Sequence, residues 1–225
     1  MPVGLPAGEA GADDANCSAS GPTRLVSILI DTTDPLTPLA RAQLADRLRE
    51  KADTVAAGEH LEIATFDAEG SNTLFAGCRA DGAAFTFGPR LAAALTAALG
   101  AMPGRSAERS PIMAALQRWA IEHGALARRQ TPRELVLVSD MFERTDLYSH
   151  YWEGLSYRAY SESEAAERYA ADLGGAKVHV FYLPNAETRS RTRAHIAFWD
   201  RWITRNRGRL VAATKVQGGV REDAE

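Results

Sequence analysis

Leu25-Val26-Ser27-Ile28-Leu29-Ile30-Asp31-Thr32-Thr33-Asp34-Pro35 (residues 25–35) is the stretch on which the fold turns. An almost unbroken apolar run ends abruptly in two carboxylates and two hydroxyls. A strand without polar alternation suits a position buried on both faces, as in a parallel sheet with helices above and below. In such sheets the carboxyl ends of the strands open toward the ligand crevice. Asp31 and Thr33 therefore fall where an oxygen-rich site is expected. Leu135–Val138 repeats the arrangement and is followed by Ser139 and Asp140.

From that strand the remaining elements can be read outward. Asp34, Pro35 and Pro38 open a helix whose inner stripe is Ala40, Leu44, Leu48, Ala52 and Val55, closed by Gly58. Leu61–Phe66 is a second strand and Thr73–Cys78 a short third. The brief turn between them favours an antiparallel edge pair, because a parallel crossover needs about a dozen residues. Arg79–Pro89 reads as a loop and Arg90–Met102 as a helix. Ser110-Pro111 starts another, with Ile112, Ala115, Leu116, Trp119 and Ala120 inward. Glu134–Val138 is a strand expected beside the first. Met141–Tyr160 is irregular and aromatic, Ser161–Leu173 reads as a helix, and Val178–Leu183 as a strand. Thr192–Arg205 is a helix with Ile196, Trp199, Trp202 and Ile203 on its apolar stripe, followed by a last strand at Leu210–Ala213. This order predicts an α/β fold: three layers, doubly wound, Rossmann-like, with a mainly parallel sheet and one antiparallel edge strand. The expected organisation is a disordered tail over residues 1–22, one domain over 23–216 and a polar tail over 217–225.

The chain has 225 residues, enough for one substantial core, with 45% hydrophobic and 24% charged residues. Its formal charge of −3 gives no general attraction to nucleic acid or acidic membranes, so neither partner is expected. No apolar run approaches the roughly 20 residues that cross a bilayer. Met1–Gly21 lacks a basic start and an apolar core, which predicts a cytoplasmic protein as written, or an exported one if the natural start lies upstream. Cys78 lies in an apolar stretch and Cys17 in a polar one, so a disulfide is not expected, and neither has metal-site spacing. The five histidines are scattered, and Gly-x-Ser-x-Gly, Walker and dinucleotide-binding patterns are absent. The arginines near the C-terminus, Arg201 and Arg205 among them, read as a solvated helix face.

The order of elements and the strand-end residues resemble the von Willebrand factor A domain from about Leu25 to Val216. In that family an Asp-x-Ser-x-Ser motif ends the first strand, a later loop supplies a hydroxyl at a helix start, and the fourth strand ends in Asp, usually followed by Gly. Here Asp31 matches the first Asp, Thr33 the first Ser, Ser110 the loop hydroxyl and Asp140 the later Asp. Pro35 stands where the second Ser belongs, and Met141 replaces the Gly, so the motif is degenerate. The resemblance implies a metal-ion-dependent adhesion site holding magnesium through Asp31, Thr33, Ser110 and Asp140. Magnesium takes such hard oxygen ligands. Asp34 and Thr37 are candidates to replace the oxygen lost at Pro35.

The implied role is a non-catalytic module whose protein partner completes the metal shell with an acidic side chain. Asp34, Thr37, Phe142, Tyr148, Tyr151 and Trp152 are candidates for the partner surface, since Tyr and Trp anchor interfaces well. Two alternatives stand beside it. A magnesium-dependent phosphoester hydrolase would use the strand-end aspartates, although Thr33 occupies the place of its second Asp. A metal-free scaffold would use Asp31 and Asp140 as helix caps or loop anchors, and Thr33 and Ser110 as caps.

Overall fold

The computed structural model describes residues 17, 21–79, 84–103, 106–126, 131–183 and 192–216. Of the tails expected over 1–22 and 217–225, residues 1–16, 18–20 and 217–225 lie outside the described residues. Six strands form one sheet: β1 (Leu25–Asp31), β2 (His60–Phe66), β3 (Ser71–Cys78), β4 (Arg133–Ser139), β5 (Lys177–Tyr182) and β6 (Arg209–Lys215), in the spatial order β3-β2-β1-β4-β5-β6. All neighbours are parallel except β2 and β3, so the single antiparallel edge strand lies where the short turn predicted it.

The sheet is covered on both faces because its strands are apolar on both. Val26, Ile28 and Ile30 join Leu61, Ile63, Val136 and Val138 under α1 (Pro38–Asp53) and α2 (Ala84–Gly100). Leu29, Leu135, Leu137 and Val178 point to the opposite face, under α3 (Ile112–Leu126) and α6 (Thr192–Arg205). Each such fully buried aliphatic side chain contributes roughly 1.5–3 kcal/mol. The α1 stripe is buried as its spacing predicts, and Thr37 caps the helix by accepting a hydrogen bond from Ala40 N (3.2 Å). Trp199 and Trp202 are core residues of α6.

Three expectations need correction. The helix expected from Arg90 starts at Ala84 and runs through Pro89. A proline forfeits one intrahelical bond, and the buried row Leu91, Ala94, Leu95, Ala98 and Leu99 holds the helix despite that loss. The helix expected over Ser161–Leu173 is instead two short ones, α4 (Tyr157–Ser161) and α5 (Glu164–Arg168). Serines break the run: Ser156 caps α4 by accepting from Ala159 N, and the Ser163 hydroxyl donates to Tyr160 O. Such side chains compete with helical backbone bonds.

The third correction concerns the cysteines, which form a disulfide, with Cα atoms 5.2 Å apart at a sequence separation of 61. Cys78 closes the edge strand β3, where a segment preceding β1 can reach it. Spacing along the chain carries no sign of that proximity. Closing a loop of this length stabilises the fold by about 4 kcal/mol in the chain-entropy account.

Candidate functional site at the strand ends

The connections from β1 run one way to β2 and the other way toward β4, so the order of winding reverses between β1 and β4. A crevice forms beyond the carboxyl ends of strands at such a reversal. Asp31 closes β1 and Asp140 directly follows β4, which places both carboxylates at that point.

Asp31 is the hub. Its Oδ1 accepts from Thr33 N (3.0 Å) and Thr33 Oγ1 (2.6 Å), and its Oδ2 from Ser110 Oγ (3.1 Å) and Ser139 Oγ (2.7 Å). Three separated segments thus meet on one carboxylate. Ser139 is a partner that the sequence did not single out. Its position as the last residue of β4, beside the end of β1, was the available signal. Asp140 Oδ1 accepts from Phe142 N (2.8 Å), and its side chain shares a hydrogen bond with that of Asp34. Asp34 therefore stands beside Asp140. Thr37 Oγ1 accepts one hydrogen bond from Ala40 N as the α1 cap and, like the other hydroxyls, has a second lone pair.

Charge is expensive here. Asp31, Thr33, Ser110 and Asp140 are all buried. Burial pushes the Asp31 carboxyl up to about 6 against the hydrogen bonds from Thr33 and Ser139. Burial, then the neighbouring Asp34 and Asp31, hold Asp140 well above the usual carboxylate range. Glu143 is a third buried acid, also missed in the sequence. Burial raises it, Asp31 adds to the effect, and its Oε2 accepts from Met113 N (2.8 Å) at the start of α3.

The loop after β4 is fastened at several points. Met141 adopts φ 61°, its N–H donates to Ser139 Oγ (2.8 Å), and its carbonyl accepts from Trp199 Nε1 (2.7 Å). Ser110 and Arg144 exchange backbone hydrogen bonds (2.9 and 3.0 Å). Behind this loop two buried histidines meet: His195 Nε2 lies 3.2 Å from His150 Nδ1, and Tyr182 Oη lies 3.0 Å from His195 Nδ1. Burial lowers both histidines, His195 to about 4, and for His150 the adjacent His195 adds to the effect.

The aromatic candidates divide. Phe142 and Tyr148 are 4% and 1% exposed, so neither offers a partner surface; this corrects their assignment. Their rings pack on His150, with Tyr148 also against Tyr160 and Phe198. An irregular segment has no period to tell inward rings from outward ones. Tyr151 and Trp152 are 40% and 70% exposed, and Arg144 stacks over Tyr151 at 5.2 Å.

The donor set fits a small divalent cation in kind: carboxylates and hydroxyls with no sulfur or imidazole. The hydroxyls of Thr33 and Ser110 spend their hydrogens on Asp31 and keep lone pairs. Among the described residues no group of three or more His, Cys, Asp or Glu is arranged to hold a metal ion, so hydroxyl oxygens would have to complete the shell.

Comparison with protein-family models returns no match, and comparison with curated proteins returns none. Comparison with solved structures returns distant similarities. Human COPII-coat protein Sec24c is similar at a TM-score of 0.52 and 12% identity, over 91% of this chain and 31% of that one. Proximal thread matrix protein 1 from the mussel byssus gives 0.46 and 13%, over 86% and 44%. The SpRpn10 VWA domain gives 0.43 and 11%, over 86% and 87%. This chain spans less than half the length of the first two. The fold itself, a mainly parallel six-stranded sheet with one antiparallel edge and helices on both faces, is the Rossmann-like α/β architecture expected of a von Willebrand A-like domain. No helix among the described residues is long and apolar enough to cross a membrane.

Proposed function

We propose that this chain is a non-catalytic protein-interaction domain that engages its partner at the carboxyl ends of β1 and β4, with magnesium held by Asp31, Thr33, Ser110 and Asp140. The observation that carries this is the convergence on Asp31 of hydroxyls from the segment after β1, the end of β4 and the segment before α3, with Asp140 alongside. A cation supplies the positive charge that these buried carboxylates otherwise lack. The chain's own groups orient the site: Ser139 fixes Asp31 Oδ2, the Phe142 amide fixes Asp140, and Asp34 stands beside it. Tyr151, Trp152 and, in the first turn of α1, the 60% exposed Leu39 provide an apolar rim for a partner. An acidic partner side chain would complete the shell.

Calorimetric titration of magnesium into the wild type and Asp31→Ala tests the site. Saturable binding that disappears in the variant is expected. No binding by the wild type, or equal binding by both, removes the metal. A metal-free scaffold is favoured by one specific feature, the Asp34–Asp140 hydrogen bond, which lets a shared proton replace a cation. A melting temperature indifferent to magnesium would select that reading, because a ligand bound only by the native state raises stability. The Cys17–Cys78 bridge points to an oxidising compartment.

A further inference from the structure

Strand β4 has two ends. Asp140 follows one, and Arg133 begins the other, about 20 Å away at the rise of an extended strand. At the Arg133 end a cleft of about 850 Å³ opens between the second half of α3, the segment before β5 and the turn from α6 to β6. It is independent of the strand-end site and of the function proposed for it.

Two features distinguish it from a crevice between loops. The first is an uncompensated guanidinium. The Arg133 side chain forms no hydrogen bond or ion pair among the described residues, and its Nε is buried without a partner. It lies against Gly174, where an added Cβ would fall 2.2 Å from Nη1 and 2.7 Å from Cζ. Gly174 also has φ +59°, so glycine alone satisfies both the backbone and the bound guanidinium. The second cation of the cleft, Arg207, is paired with Asp172 (2.8 Å). The lining therefore carries one net positive charge.

The second feature is a mixed, stiff wall. Ala120, Ala171 and Ile121 line the cleft, and Ile121 is 69% exposed. The opposite rim is tied down by Gln117 Nε2 to the carbonyls of Arg168 and Ala170 (3.0 and 2.7 Å), by Gly174 N to Asp172 Oδ1 (2.9 Å) and by Gly175 N to Arg207 O (2.7 Å). Arg207 itself has φ 60°. A non-glycine residue in that conformation is held by its surroundings. A preformed rim loses little entropy when a ligand arrives.

We propose that this cleft binds a monocarboxylate carried on an apolar body, with Arg133 gripping the carboxylate and Ile121 covering the chain. The planar fork of a guanidinium matches a carboxylate in two parallel hydrogen bonds. One net charge balances a single carboxylate, whereas a phosphate dianion would leave excess negative charge. The apolar wall would be idle against an inorganic ion.

The test titrates 4-phenylbutyrate, its neutral amide and inorganic phosphate into the full chain without magnesium. Binding is followed by calorimetry and by the arginine Nε–Hε NMR signal of Arg133. Phenylbutyrate should bind saturably and shift that signal. The amide should bind at least about tenfold more weakly, the loss expected when a charge-assisted pair is removed. Arg133→Gln should lose binding by a similar factor. Should that variant fold poorly, the exposed Arg207→Gln serves, with a few-fold loss expected from the weaker field. Failure of phenylbutyrate to bind, equal binding of the amide, or tighter binding of phosphate would each overturn the proposal. Full affinity in a folded Arg133→Gln protein would do the same.

Discussion

Replacing Asp31 by Asn removes one buried negative charge while keeping the shape of the side chain. The amide oxygen can still accept from Thr33, and the NH₂ group can donate to the hydroxyls of Ser110 and Ser139, which rotate to receive it. In the folded chain, burial raises the Asp31 carboxyl from 3.8 to about 6. At about 1.4 kcal/mol per pH unit, holding it ionised near neutrality costs about 3 kcal/mol. The sign follows from the raised value: Asp31 contributes stability below its unfolded pKa and loses it as pH rises through about 6. Without divalent cations, the wild type should therefore fall by about 3 kcal/mol relative to Asp31→Asn between about pH 4 and about pH 7. Magnesium should restore the wild type and leave the variant unchanged. Urea melts across that range, with and without the cation, measure both effects. The difference between the proteins is the informative quantity, because His195 titrates in the same window with the opposite slope. Parallel pH profiles would refute the account of Asp31 as a buried charge in need of a counter-ion.

His195, lowered by burial to about 4, makes stability fall as pH drops from about 6.5, by about 3 kcal/mol in all; His195→Phe should flatten that limb of the urea-melt profile. Beneath α3, His123 Nε2 lies 2.6 Å from Glu62 Oε2, and Ser27 Oγ is within hydrogen-bond distance of both. Burial opposes both charges, but their contact outweighs it, raising His123 and lowering Glu62. Glu62→Leu alone should cost about 1–3 kcal/mol by leaving a buried imidazole without its hydrogen-bond partner, whereas Glu62→Leu with His123→Leu should recover most of that. The pair's contribution should fade in acid as Glu62 protonates and in base as His123 deprotonates. Cys78→Ser should lower stability by about 4 kcal/mol in denaturant melts, and reductant should reproduce the loss only in the wild type.

The fold was legible wherever burial is periodic or continuous. Two apolar runs ending in Asp located β1 and β4, and a short turn located the antiparallel edge. The hub of the site followed, because topology rather than side-chain detail brings Asp31, Thr33, Ser110 and Asp140 to one place. What stayed hidden depends on contacts between distant segments. His150 and His195 are 45 residues apart in sequence, and nothing local to either announces the other. Ser139 was visible as a strand end, yet its bond to Asp31 required the β1–β4 register. Phe142 faces inward and Trp152 outward within one aperiodic loop, which only tertiary packing distinguishes. The α4–α5 break came from serine hydroxyls competing with the backbone, a local effect masked by the flanking alanines and glutamates.

Met141 occupies a left-handed backbone position, where glycine would be the relaxed choice, yet its side chain is also a buried part of the core beneath α3 and α6. One residue thus does two jobs, setting the path of the loop and filling the interior. A glycine there would act as a swivel, free to change direction without disturbing anything else. A methionine acts as a detent: the loop beside Asp140 cannot change course unless the thioether also withdraws from its socket. A strand-end face built this way should present a single ready-made shape, with little of the give that a hinge provides.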